Sequence, residues 1–300
     1  MGFLNIVLGF VVIGLIIAIF NFIKEKIKFV AGKTTETPLM KAAIAGDVIQ
    51  INELLLSGVD IDEKNAVKDT ALSLAIIKNQ EETACVLINA GANLIMACRD
   101  GKDAFDLVLE SKNERILLQL IEKTDTKTLV RFNLLLAVVE KNFSVDVLRA
   151  LFDKIEQEQK GVSAKIREGN EYSDIDGALW KAAENGNIQN VDFLLEKGAS
   201  LAIEPIWAAV RSNSVPLVKK FIELGDNIEA KDSNGITCLA LAVIRLEYEI
   251  MELLLENNAN PNISFKHPTY NYLTSLLSYA KQETGGKDRV LLLEKYGAKK

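Results

Sequence analysis

The stretch TPLMKAAIAGDVIQINELLLSG, residues 37–58, decides the fold, because its two halves recur down the 300-residue chain at a near-constant interval. TPLMKAAIAG (37–46) returns as TALSLAIIKN (70–79), ALWKAAENG (178–186), PIWAAVRSN (205–213) and TCLALAVIRL (237–246). ELLLSGVDID (53–62) returns as CVLINAGANL (85–94), FLLEKGASL (193–201), FIELGDNIEA (221–230), ELLLENNANPN (252–262) and LLLEKYGA (291–298). Thr37 to Thr70, Gly58 to Gly91 and Gly225 to Asn258 are each separated by 33 residues, and Gly198 to Gly225 by 27, a unit with its connecting hairpin shortened. Self-similarity at this period marks a repeat array, in which no unit can cover its own apolar face and each is covered by its neighbours.

The recurring residue types have physical reasons. Ala42, Ala75, Ala182, Ala209 and Ala242 fall where the first helix of one repeat packs on the next, and small side chains let those helices approach. Gly46 and Gly186, with Asn79 and Asn213 at the matching places, end that helix where a left-handed residue is needed. Leu54 to Leu56, Phe193 to Leu195 and Leu253 to Leu255 supply the buried face of the second helix. The middle of the chain departs from the pattern. Asp103-Ala104-Phe105 keeps the register after Thr70, and FNLLLAVVEK (132–141) with VDVLRALFD (145–153) gives a further helix pair, but neither carries the glycine; both read as degenerate repeats.

The order Thr37, Pro38, Leu39, Ala42, Ala43, Gly46, followed by Leu54, Leu55, Leu56 and Gly58, resembles the ankyrin-repeat family, and the resemblance covers roughly residues 34–300. It implies an all-α solenoid of about seven to eight repeats, with partners bound on a concave side by hairpin tips and by exposed positions of each first helix. The tips are then Lys64 to Asp69, Cys98 to Lys102 (with Arg99 and Asp100) and Lys231 to Gly235 (with Asp232 and Asn234). The helix positions are Lys41, Ile44, Leu74, Ile77, Lys181, Glu184, Arg211, Ile244 and Arg245. Two readings of Ile44, Ile77 and Ile244 stand: an apolar binding stripe, or residues buried between repeats in a slightly shifted register. Trp180 and Trp207 occupy the place usually held by the family's histidine, so the hydrogen bonds that tighten the hairpin must differ here; core packing is the safer role for both.

From Phe3 to Ile23 the sequence FLNIVLGFVVIGLIIAIFNFI carries no charge over 21 residues, and a helix of that length spans roughly 30 Å, the thickness of a bilayer's hydrocarbon core. Lys24, Lys26, Lys28 and Lys33 follow it and no Lys or Arg precedes it, which argues against a cleavable signal peptide. The expected topology is a single-pass anchor with the N-terminus outside and the repeats on the cytoplasmic side. Gly14 and Ala18 form a small-xxx-small pair, common by chance in apolar segments. Gly32-Lys33-Thr34 echoes a phosphate loop, but Ile27 stands where glycine is required. The expected organisation is an anchor with basic flank over 1–28, a linker over 29–36, repeats over 37–154, a charged insertion over 155–173, and repeats with a terminal cap over 174–300. The insertion is either a binding element or a solvated connection.

Composition excludes much chemistry. A net charge of -6 disfavours a nucleic-acid partner. One histidine, His267, and three cysteines without CxxC spacing, Cys85, Cys98 and Cys238, give no zinc site, disulfide framework or nucleophile-base pair. No cofactor, metal or small-molecule substrate is expected. The expected function is a membrane-tethered interaction module, a scaffold or adaptor for a cytoplasmic protein. An inhibitor that blocks a partner enzyme, in an immunity or antitoxin role, is the alternative. The remote alternative is an enzyme using Glu168, Glu171, Asp174 and Asp176 near Tyr172. The Asn142-Phe-Ser and Asn262-Ile-Ser triplets double as glycosylation reporters of topology.

Overall fold

The computed structural model describes residues 36–131, 133–158, 172–269, 272–282 and 287–299, and the chain divides into two compact units between Thr124 and Asp125. The apolar run 3–23 and residues 159–171 of the charged insertion lie outside the described residues. Among the described residues no helix is long and apolar enough to cross a membrane.

The first unit holds α1 (Pro38–Ala45), α2 (Val48–Leu56), α3 (Ala71–Ile77), α4 (Glu81–Asn89), α5 (Ala104–Ser111) and α6 (Glu114–Lys123). Helices α1, α3 and α5 lie side by side as one row, and α2, α4 and α6 form the row behind it. The second unit opens with α7 (Thr126–Arg131), which packs on α8 (Leu134–Glu140) and α9 (Val145–Glu158). It continues through α10 (Tyr172–Glu184), α11 (Ile188–Glu196), α12 (Pro205–Arg211), α13 (Val215–Glu223), α14 (Cys238–Arg245) and α15 (Tyr248–Glu256) to α16 (Leu276–Gln282) and α17 (Lys287–Lys295). Its front row is α8, α10, α12, α14 and α16, each against the next. Eight helix pairs are thus present among the described residues, the two glycine-less ones included.

Local chemistry sets the start and end of each front helix. Thr37, Thr70, Asp103 and Thr237 accept a backbone N–H from three residues on, which explains the threonine at the head of the recurrent stretch. Pro38 and Pro205 follow at the first helical position, where a missing N–H costs nothing. Where seven of the front helices end the backbone turns left-handed: Gly46 at φ 75°, Asn79 at 54°, Lys112 at 54°, Asn142 at 56°, Gly186 at 70°, Asn213 at 54° and Leu246 at 66°. Lys112 and Asn142 therefore do in the degenerate repeats what glycine does elsewhere. At Gly46 the space is also filled, since a Cβ there would lie 2.5 Å from Gln80 Oε1. Gln80 uses that approach to donate from Nε2 to Ile44 O at 3.1 Å, tying the second repeat to the first. Asn113 Nδ2 to Asn79 Oδ1 at 2.8 Å and Asn185 Nδ2 to Val139 O at 2.7 Å make comparable ties.

At one matching position in each front helix, Ala42, Ala75, Val108, Val138, Ala182, Ala209, Ala242 and Ala280 are all fully buried. The second helices contribute the larger apolar side chains, among them Ile51, Leu87, Leu117, Val191, Phe221 and Leu254, likewise fully buried.

The helix pairs make the all-helical solenoid expected, with one short addition and one correction. The addition is a hairpin in which β1 (Ser264–Lys266) and β2 (Leu273–Ser275) pair antiparallel, Phe265 opposite Thr274. Strands of three residues are too short to display an alternation in sequence, yet Phe265 is buried and anchors this hairpin beneath α16 through its ring contact with Tyr279. The correction is that the Leu54–Leu56 triplet is not a buried face, for Leu56 is 88% exposed and Leu54 and Leu55 only half-buried. Among the described residues α2 has a second-row neighbour, α4, on one side only, whereas Phe193, Leu194, Leu254 and Leu255 sit within a row and are buried.

Replacing Ala209 with Leu should force α12 away from α10 and α14 and lower the urea-unfolding free energy by about 1–3 kcal/mol. Lys219→Leu, at an exposed site on α13, should leave it within about 0.5 kcal/mol.

Candidate partner-binding surface

Between one helix pair and the next the chain projects hairpin tips, three of which share one geometry. Asn65 N donates to Asp69 O at 3.0 Å, Cys98 N to Lys102 O at 2.7 Å, and Asp232 N to Ile236 O at 3.1 Å. In each tip the fourth residue is left-handed: Lys68 (φ 69°), Gly101 (φ 75°) and Gly235 (φ 80°). Asn65 Oδ1 accepts the Val67 and Asp69 amides, and Asp232 Oδ1 accepts those of Asn234 and Ile236, so these side chains shape the turn from inside.

The first two tips enclose a cleft of about 600 Å³ lined by Lys64, Ala66, Val67, Lys68, Ala97, Cys98, Arg99, Asp100 and Gly101. Two bonds hold its walls. Asp69, whose side chain is completely buried, takes the Arg99 guanidinium bidentately, with Nε to Oδ1 at 2.8 Å and Nη2 on Oδ2. Lys64 Nζ donates to Ala97 O at 2.8 Å across the gap. Cys98, one of three free cysteines, is buried behind this wall.

In the second unit the third tip is tied into its surroundings. Asn234 O accepts Lys266 N of β1 at 3.2 Å, and Trp207 Nε1 donates to Ile236 O at 3.2 Å, joining α12 to this hairpin. Trp207 thus provides the different tightening bond that the sequence called for.

The anticipated helix contacts separate into groups. Lys41 is exposed, Ile44 and Ile244 are half-buried, and Ile77 is 38% exposed. Leu74 is corrected to a core residue at 4% exposure, because α3 is flanked by α1 on one side and α5 on the other. Lys181, Glu184 and Arg211 come together as one ion cluster. Glu184 accepts Lys181 Nζ at 2.6 Å and pairs with Arg211 Nη1 at 3.0 Å, linking α10 to α12. Arg245 turns instead to Glu247, Nε to Oε1 at 2.7 Å. The exposed Val67 and the two lysines beside it escaped the choice of individual contact residues; the available signal was a lysine where the equivalent turns carry glycine.

Of the carboxylates considered for catalysis, Asp176 has a described side chain. Asp176 is buried and both its oxygens serve Ser200, accepting the backbone N and Oγ at 2.7 Å each. Glu168, Glu171 and the side chains of Tyr172 and Asp174 lie outside the described set. No group of three or more potential metal ligands occurs among the described residues. Burial raises the carboxyl pKa of Asp103, Asp226 and Glu247 and the thiol pKa of Cys85 and Cys238.

Residues 15–98 and 179–265 match the family model for ankyrin repeats, described as three copies. The first match begins inside the apolar run. The B-cell lymphoma 3 protein homolog of mouse is 23% identical over 77% of this chain and 46% of its own length. Its human counterpart is 24% identical over 74% and 50%, so the chain spans about half the length of these curated relatives. The cattle ankyrin repeat and SOCS box protein 3 is 31% identical over 30% of the chain and 19% of its own length. Among solved structures, the ankyrin repeat domain of Bcl-3 aligns over 81% of this chain and 93% of its own at 21% identity and TM-score 0.37. An ankyrin repeat domain from Acinetobacter baumannii aligns over 74% and 98% at 23% identity and TM-score 0.38.

Asp226 illustrates how the raised carboxyls act on stability. Its folded-state pKa lies above the ordinary value because burial penalises the charge more than the Ile206 and Asn227 amides relieve it. Folding is therefore less favourable with the group ionised, and the penalty sets in as pH rises from the ordinary carboxylate range through the raised value. In urea titrations from about pH 4 to neutrality, Asp226→Asn should gain stability relative to wild type as pH rises; a pH-independent difference would contradict this.

Proposed function

The chain belongs to the ankyrin-repeat family, whose repeats mediate protein–protein interaction, and from that premise we propose that it is a membrane-tethered module that binds a cytoplasmic protein through the cleft between its first two hairpin tips. The observation that carries this reading is the cleft itself. Its lining includes Val67 at 51% exposure, an apolar group that water alone would not favour, together with Lys64, Lys68 and Arg99. The walls are fixed by the buried Asp69 carboxylate and by Lys64, so the surface is held in shape before any partner arrives and less ordering is required on binding.

Tethering is supported by the 21 uncharged residues 3–23 and the lysines that follow them. A short connection to α1 would hold the cleft near the membrane face and raise its local concentration for a partner confined there. One observation favours a second reading of the same run. The repeat match starts at residue 15, and α2 leaves Ile49 74% and Leu56 88% exposed, so the run would cover that open face instead of entering lipid.

Two measurements decide these points. Membranes from cells making the full chain should retain it through an alkaline carbonate wash, and lose it when residues 3–23 are deleted; release of the intact chain favours the second reading. A photo-crosslinking residue at position 67 of the full chain should give a discrete protein adduct in the membrane that is absent with the crosslinker at Leu291, which is also exposed. No adduct at position 67, or the same adducts from both positions, contradicts binding through the cleft.

A further inference from the structure

Lys68 stands where the other two hairpin tips carry glycine. At the fourth position of the hairpin tip the backbone is left-handed, and the second and third tips place Gly101 and Gly235 there. An L-residue with a long side chain is disfavoured in that conformation, and Asx or glycine residues are the usual occupants. The consequence of lysine here is positional, since Lys68 lines the cleft and is itself exposed.

The charges around the cleft are unequal. Arg99 is balanced by the buried Asp69. Lys64 donates to a backbone carbonyl, which orients its ammonium group without cancelling its charge. That leaves Lys64 and Lys68 against the single carboxylate of Asp100 in the charge count of the lining residues, which also include Val67, Ala66 and Ala97. The excess is local, for the chain as a whole carries -6, and a polyanion such as nucleic acid would meet repulsion beyond the cleft. A short protein segment reaches only the cleft and avoids it.

We propose that the cleft recognises an acidic segment of its protein partner, with carboxylates paired to Lys64 and Lys68 and a small apolar side chain seated against Val67. This rests on the cleft being the partner-binding surface and specifies what that surface selects. Lys68 supplies binding at the expense of fold stability. Opposite-charge complementarity of this kind steers encounter and excludes partners of the wrong sign.

The separation of binding from stability gives the test. The full chain, held in lipid nanodiscs, is titrated with a short labelled Glu- and Val-containing peptide, with its Gln-for-Glu analogue, and with a single-stranded oligonucleotide of equal charge. The Glu peptide should bind more tightly than the Gln peptide and the oligonucleotide, and the advantage should shrink as salt is raised. Lys68→Gly should weaken the Glu peptide by on the order of threefold to fivefold while raising the thermal midpoint. Lys64→Gln should weaken it similarly, and Lys219→Ala, exposed on α13, should not. Equal binding of the Glu and Gln peptides, preference for the oligonucleotide, or a Lys68→Gly variant that binds as well as wild type would each overturn acidic recognition. None of these bears on the crosslink from position 67, so the partner-binding reading stands or falls separately.

Discussion

Everything in each unit depends on how closely consecutive front helices can lie. A helix pair of this size cannot cover its own apolar face, so neighbours must come within contact distance, and one position per repeat meets the adjacent helix most directly. That position is alanine in six of the eight pairs and valine in the other two, and in all eight it is fully excluded from water. Size at that place is therefore the constraint, and the larger side chains of the second row fill the space that the close approach creates behind it.

Once the spacing is set, the polar groups at the ends of the helices fall into register, and the hairpin tips follow. Gln80 reaches back to Ile44, Asn113 to Asn79 and Asn185 to Val139, so the turns after α3, α5 and α10 each carry a bond to the preceding repeat. On the other side of the row, Asp62 Oδ1 accepts Asn93 N at 2.9 Å and Glu229 Oε1 accepts Asn260 N at 2.7 Å, binding successive hairpin bases at nearly the repeat spacing. The tips are thus fixed at a regular interval by the stack beneath them, and the cleft between the first two is a product of that interval. Its walls need only the Asp69–Arg99 pair and the Lys64 bond to be closed.

How much of this was legible in sequence varied with the kind of interaction. The period, the buried alanines and the left-handed Asn79 and Asn213 were readable, because each is a one-residue requirement imposed at a fixed offset from a visible cap. The glycine-less repeats were placed by register alone; Lys112 and Asn142 were not seen as their left-handed residues, since non-glycine residues leave no mark of backbone conformation. The short β-hairpin was missed for want of alternation. Leu74 and Leu56 were misjudged in opposite directions for the same reason: burial here depends on whether a neighbour stands on both sides, and a motif looks alike in either setting. Of the site, the tips were located but the cleft was not, because it arises from Asp69 meeting Arg99 across 30 positions of sequence.

The central claim is that each pair is stabilised by its immediate neighbours and not by a common core. Hydrogen exchange followed by mass spectrometry on a variant carrying Ala182→Leu in α10 tests it directly. The account predicts loss of amide protection greatest in α8 through α13 and fading along the row toward α16 and α17. An equal loss of protection in every helix of that unit would show a single cooperative core and contradict it.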